Sequence, residues 1–100
     1  MIRGSTSTFT LSLPSDASLF TEAEATFTQE GKCLLVKTTS DMTWRGDRTL
    51  SFALSESESL LFAADSIAEL QLRLVTHDGK ILLSHPKRLA IGRRLPEDAE

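Results

Sequence analysis

The sequence has one cysteine, no tyrosine and few aromatic residues of any kind. Cys33 has no second cysteine to pair with, so the chain has no internal disulfide, although small secreted domains often carry several. The aromatic side chains are five phenylalanines and Trp44, too few for the stacking platforms typical of single-stranded nucleic-acid binders. These absences favour synthesis in a reducing cytoplasm and argue against a nucleic-acid partner.

Long hydrophobic runs and an excess of basic charge are also absent. No apolar run approaches the ~18 residues of a membrane-spanning helix, and "MIRGSTSTFT" at the start lacks the apolar stretch of a signal peptide. The net charge is −3. Basic residues cluster only at Lys87-Arg88 and Arg93-Arg94, and acidic residues follow at once. We therefore expect neither a nucleic-acid partner nor a membrane partner.

The sequence offers no recognisable catalytic or ligand-binding motif. His77 lies beside a turn and His85 beside a proline, and their spacing from Cys33 does not suggest a zinc site. Nucleophile elbows, phosphate loops and dinucleotide fingerprints are all missing. The sequence predicts no catalytic residues, no metal and no cofactor, and a protein that is not an enzyme.

Alternation of apolar and polar residues dominates what is present. In "STFTLSLP" the residues Phe9, Leu11 and Leu13 alternate with Thr and Ser, which predicts a strand with one wet face that ends at Pro14. Similar alternation predicts further strands in "EAEATFTQ", "CLLVKTT", "MTW", "TLSFAL", "ELQLRLV" and "KILLS". Phe9, Phe27 and Phe52 all fall on the apolar side of their strands and are predicted core residues. In "CLLVKTT" the inward set is either Cys33 and Leu35 or Leu34 and Val36.

Turn chemistry joins these strands. "QEGK" (29–32) and Asp78-Gly79 are predicted hairpin turns. The "RGD" of residues 45–47 spells an integrin-binding tripeptide, but it stands between two short alternating segments and is interpreted as a hairpin connection. Pro86 is expected to end or bend the last strand.

One segment, "LSESESLLFAADS", breaks the alternation. Ser55 and Glu58 have the spacing of a capping box, which predicts a short helical turn. A helix this short must be held by tertiary contacts, so we expect either Leu61 or Phe62 to be buried beneath it. Such a turn could carry the chain from one sheet to the other.

Together these signals predict an all-β fold in a single domain over residues 1–94, with a polar tail at 95–100. The fold class is a small antiparallel β-sandwich, immunoglobulin-like in outline, with about seven strands and one short helical turn. A barrel of similar strand count is the alternative.

Three segments carry a resemblance to a known group of proteins. "MIRGSTSTFTLSLP", "LSESESLLF" and "ELQLRLVTHDGKILLS" resemble the start, the capped turn and the closing hairpin of small prophage-encoded structural proteins. Those proteins are similar in outline to the immunoglobulin-like N-terminal domains of phage baseplate and tail accessory proteins. The present chain departs from them at Ser55–Ser59, where serines replace part of the polar mixture.

The resemblance implies a virion structural or assembly module, made in the cytoplasm of a bacterial host and acting through protein-protein contacts. Its partners would be phage structural proteins or further copies of itself, and we expect a homo-oligomer. The alternative is a module that binds a host-surface glycan or peptide through an exposed Trp44, although a buried tryptophan is the commoner outcome in a sandwich.

The first strand is the predicted interaction site. It carries no charged residue between Ser5 and Pro14, whereas exposed sheet edges are usually protected by charge or proline. The outward row is Thr6, Thr8, Thr10 and Ser12. If the protein self-associates, we expect this row or its edge to take part.

Overall fold

The alternating segments form the strands that the sequence predicts. The structure, a computed structural model, describes residues 1–45 and 48–93. The strands within those residues are β1 (Ser7–Ser12), β2 (Phe20–Gln29), β3 (Lys32–Lys37), β4 (Met42–Arg45), β5 (Thr49–Leu54), β6 (Ser66–Thr76), β7 (Ile81–Leu83) and β8 (Lys87–Ile91). They are connected in part by one α-helical turn, α1 (Glu56–Ser59), and by two 3-10 turns, Ala17–Leu19 and Thr39–Asp41.

The strands form two antiparallel sheets. The smaller sheet has the order β1-β5-β4. In the larger sheet β3-β2-β6 is continued by both β7 and β8, which pair with successive parts of β6. Because β7 and β8 share one edge position, the larger sheet is wider than the smaller by one strand.

This strand order is that of an immunoglobulin-like sandwich, in which strands B, E and D face strands C′, C, F and G. The predicted small antiparallel sandwich, with about seven strand positions and one short helical turn, is confirmed. The chain forms two sheets and not a barrel over the described residues. In those same residues no strand occupies position A, beside β1.

A cluster of phenylalanine rings forms the centre of the core. Phe27 of β2 is fully buried, and its ring centroid lies 5.5 Å from Phe9, 6.0 Å from Phe52 and 5.7 Å from Phe62. The three contacts are edge-to-face, a favoured arrangement of aromatic pairs. Phe9, Phe27 and Phe52 therefore all contribute to the core, as predicted, with Phe9 half-buried.

The β2–β3 hairpin closes on a tight turn. Glu30 and Gly31 have φ values of +54° and +76°, and positive φ at both central residues is the mark of a type I′ turn. The predicted turn over residues 29–32 is confirmed. Glycine adopts such a conformation freely, whereas glutamate does so at a cost.

A bulge in this hairpin decides which β3 residues face inward. The register shifts between Phe27 and Thr28, so that Leu35 lies opposite Phe27. As a result neither predicted alternation holds along the whole strand. Leu34 and Leu35 are both half-buried, while Cys33 and Val36 are exposed.

The helical turn forms as its sequence predicts. Ser55 Oγ accepts a hydrogen bond from the Glu58 N–H at 3.2 Å, and Glu58 Oε1 accepts one from the Ser55 N–H at 2.8 Å. This reciprocal pair is the predicted capping box. Phe62 is 1% exposed whereas Leu61 is on the surface, so Phe62 is the residue that holds the turn against the core.

The β6–β7 hairpin and its interruption are also as expected. Gly79 supplies positive φ, +86°, and the Thr76 N–H donates to the Lys80 carbonyl at 2.9 Å. Pro86 falls between the end of β7 at Leu83 and the start of β8 at Lys87. Proline thus divides the last edge strand into two pieces.

Two predictions fall outside the described residues. These are the hairpin connection at Gly46-Asp47 and the polar tail at 95–100. Within the described residues, the structure has no helix with the length and apolar character needed to cross a membrane.

Candidate interaction surface

The predicted interaction residues divide between two parts of the smaller sheet. Those on or next to β1 are all exposed: Thr6, Thr8, Thr10 and Ser12. Trp44 is half-buried, packs against the core and lies opposite buried Leu50. Since β5 separates β4 from β1, the structure does not bring Trp44 together with the Thr and Ser row. The tryptophan is on the inner face of one edge and the row is on the outer face of the other.

The backbone of β1 has an open hydrogen-bonding edge. The Leu13 N–H donates to the Arg48 carbonyl at 2.8 Å, in continuation of the β1–β5 register. Bonded residues alternate along an antiparallel ladder, so the other odd-numbered residues of β1 also bond to β5. The N–H and C=O groups that point away from β5 therefore belong to Thr8, Thr10 and Ser12. Within the part of the chain that the structure describes, β5 is the only strand paired with β1.

A groove runs alongside this edge. Because the smaller sheet is one strand narrower, β7 and β8 have no described strand opposite them. Three adjoining cavities of about 290, 510 and 220 Å³ fill the gap. The apolar residues that line them are Phe9, Leu11, Leu13, Leu70, Leu72, Leu74, Leu82, Leu83 and Leu89, with Pro14 at one end.

The groove changes character along its length. Near Pro14 its lining is mainly leucine, including Leu82, which is 41% exposed. At the other end Lys87 and Arg88 line the cavity, and His85 lies between the two ends. The groove is thus largely apolar along its length, with basic side chains at the end away from Pro14.

Lys87 is the charged side chain that faces into the groove. It lies directly opposite Leu70 in the β6–β8 register, Leu70 is buried, and directly opposed residues project from the same face of a sheet. Lys87 is exposed and forms no ion pair with any described residue. Its ammonium group therefore lies beside buried Leu70 with no ion-pair partner in residues 1–45 and 48–93.

The sequence carries a signal for the inward position of Lys87 that its charge alone does not give. By charge, Lys87-Arg88 is only a basic cluster that acidic residues follow. Leu89 and Ile91 alternate as inward residues of the same strand, and extending that alternation back by two places puts Lys87 on the inner face.

The two histidines take separate positions. His77 Nε2 lies 2.9 Å from the Ser18 carbonyl oxygen, a contact between the β6–β7 hairpin and the 3-10 turn that precedes β2. His85 borders the groove. Across residues 1–45 and 48–93 no group of three or more His, Cys, Asp or Glu side chains is placed to hold a metal ion.

Comparison with known proteins identifies no family for this chain. No protein-family model matches the chain, and no curated protein matches it. Among solved structures, the V domain of amphioxus IgVJ-C2 is similar over 92% of this chain and 95% of its own, with 10% identity and a TM-score of 0.40. The fold assignment rests on the strand order described above.

Proposed function

We propose that the protein is a non-enzymatic structural or assembly module of a phage or prophage virion, a tail or baseplate accessory protein that acts through protein-protein contacts. The observation that carries the proposal is the edge of β1, where no other described strand pairs with Thr8, Thr10 and Ser12 and the strand carries no charged side chain. Such an edge invites pairing with another chain unless it is protected. The resemblance of the sequence to small prophage-encoded structural proteins supplies the phage context.

The alternative, a module that binds a host-surface glycan or peptide, depends on Trp44. A tryptophan that anchors a ligand needs an exposed ring face. Trp44 is half-buried and packs against the core, which leaves less of the ring for a ligand. We therefore favour the assembly role.

Light scattering of the purified protein tests the mode of action. We expect an oligomer at micromolar concentration, and we expect Thr8→Lys with Thr10→Lys to shift it toward monomer because lysine on an edge disfavours strand pairing. Val36→Lys, on exposed β3 at an edge of the other sheet, is the control and should leave the oligomer intact. An oligomer unmoved by the double substitution would reject a role for the β1 edge.

The phage context needs a separate test. Mass spectrometry of virions purified from a lysogen that carries the gene should detect the chain among the structural proteins. Its absence from intact particles would reject a structural role in the virion. The remaining role would be that of an assembly factor that is released before the particle matures.

A further inference from the structure

We propose that the groove beside β1 accepts an extended segment of a different protein, which adds to β1 as a strand and places an acidic side chain against Lys87. This inference rests on the proposed function and specifies the partner's chemistry. The expected segment has apolar residues at alternate positions that cover the leucine end of the groove. An Asp or Glu continues the same alternation at the end near Lys87.

The backbone of β1 specifies an extended ligand. Thr8, Thr10 and Ser12 present N–H and C=O groups at every second residue, and an added strand satisfies this repeat through its own backbone. Strand position A of the sandwich lies along this edge and is vacant in the described residues. The groove therefore lies where a further strand beside β1 would run.

The side chains of the groove specify an alternating pattern. In an added strand every second side chain would point into the gap between the sheets, with a repeat of about 6.6 Å. Those side chains would meet Leu11, Leu72 and Leu82 toward the Pro14 end. Apolar residues there would remove leucine surface from water, which is the main source of affinity in such contacts.

Lys87 determines the charge that we expect on the bound segment. A ligand side chain at the far end of the groove would lie beside the ammonium group, which has no ion-pair partner among the described residues. An acidic residue would pair with it in a partly desolvated setting, where the loss of one partner is costly. Arg88 also lines this cavity, but it lies opposite Glu69 in the β6–β8 register and its side chain alternates to the other face of the sheet.

This chemistry argues against two segments of the chain itself as candidates to occupy the groove. β1 of a second copy, "STFTLS", has no acidic residue to place near Lys87. The C-terminal "LPEDAE" is acidic, but it has a proline and lacks alternating large apolar residues. A segment of another protein meets both requirements.

Fluorescence anisotropy tests the proposal on the full chain. The probes are two short labelled peptides, Thr-Val-Thr-Leu-Thr-Val-Thr-Asp-Thr and the same residues in reverse order, since the groove does not fix the chain direction. One of them should bind saturably. Replacing its Asp with Lys should weaken binding by about tenfold or more.

Two pairs of protein variants locate the bound peptide. Lys87→Glu should weaken binding of the Asp peptide and strengthen binding of the Lys peptide, whereas Lys32→Glu, an exposed lysine on β3, should do neither. Thr10→Pro removes a backbone donor from the open edge and should abolish binding, because proline is tolerated on a free edge but cannot donate. Thr10→Ala keeps that donor and should bind as the wild type does.

The outcomes separate this inference from the proposed function. Failure of both peptides to bind the wild type at a concentration where light scattering shows a monomer would overturn the inference. The proposed function would still stand if the protein assembled through β1 at higher concentration. Equal binding by Lys87→Glu and the wild type would overturn the role of the lysine and with it the acidic specificity. A wild type that neither assembles nor binds the peptides would count against both proposals.

Discussion

The Lys37 Nζ donates to both carboxylate oxygens of Glu58, at 2.9 Å to Oε1 and 2.7 Å to Oε2. The contact joins the end of β3 to the helical turn α1, and the two side chains are only 11% and 29% exposed. The same carboxylate accepts the Ser55 N–H and so completes the capping box. Hydrogen bonding from Lys37, followed by that from the Ser55 N–H, lowers the pKa of Glu58.

The first prediction isolates the ion pair from the cap. Glu58→Gln keeps a side-chain acceptor at the capping position, since glutamine also serves in a capping box, but it leaves the Lys37 charge without its partner. We expect the free energy of unfolding to fall by about 1–2 kcal/mol at neutral pH, measured by urea denaturation. Glu22→Gln, at an exposed position of β2, should change it by less than about 0.5 kcal/mol.

The stabilisation should depend on pH in a defined direction. Glu58 has a lower pKa in the folded protein than the ~4.3 of an unfolded chain, so its contribution is present above that value. It is lost as the pH falls through the folded pKa. The difference between wild type and Glu58→Gln should therefore shrink as the pH is lowered from neutral to below about 4.3, the ordinary pKa of glutamate. A difference that stays constant over this range would contradict the assignment.

The second prediction concerns the buried hydroxyl of Ser59. Its Oγ accepts the Gly4 N–H at 2.9 Å and donates to the Glu56 carbonyl at 2.7 Å, which fastens the N-terminal residues to the helical turn. Ser59 is fully buried, so Ser59→Ala would remove the acceptor of the Gly4 N–H and should cost about 1–3 kcal/mol. Ser57 lies in the same turn and is exposed, so Ser57→Ala should cost far less. Similar losses in the two variants, measured by thermal unfolding, would argue against the fastening role.

Features encoded by neighbouring residues could be predicted from the sequence. The Ser55–Glu58 cap and the turns at Gly31 and Gly79 depend on a few adjacent residues, and Pro86 interrupts its strand through its own backbone chemistry. The alternation of Leu70, Leu72 and Leu74 is likewise enough to choose the buried face of β6.

Features that depend on the pairing of distant segments could not be predicted from the sequence. The bulge after Phe27 arises in the β2–β3 ladder, and no residue type marks it. The groove exists because one sheet is a strand narrower than the other, which is a property of the assembled sandwich. Alternation predicts the exposed row at Thr8 and Thr10 and also the inward side of Lys87, but the position of Lys87 opposite Leu70 needs the register of β8 against β6.

The third prediction tests the aromatic core. Phe27→Ala removes the ring that contacts three other phenylalanines and should destabilise the protein by about 3–5 kcal/mol. Thr26→Ala, the adjacent residue on the opposite face of β2, should cost well under half of that. Urea denaturation of both variants makes the comparison. A small loss for Phe27→Ala would mean that neighbouring side chains refill the space and that the ring cluster is not the centre of stability.

The last prediction concerns the strained position in the β2–β3 turn. Glu30 has a φ of +54° beside Gly31 at +76°, and asparagine adopts this left-handed conformation more readily than glutamate does. Glu30→Asn creates the Asn-Gly pair that type I′ turns favour, so we expect it to stabilise the protein by about 0.5–1 kcal/mol and to raise the Tm by about 3–6 °C. Glu30→Gln is the matched control, because it removes the same negative charge without a preference for positive φ. If glutamine raised the Tm as much as asparagine does, the gain would come from the lost charge, and relief of backbone strain would be ruled out as its cause.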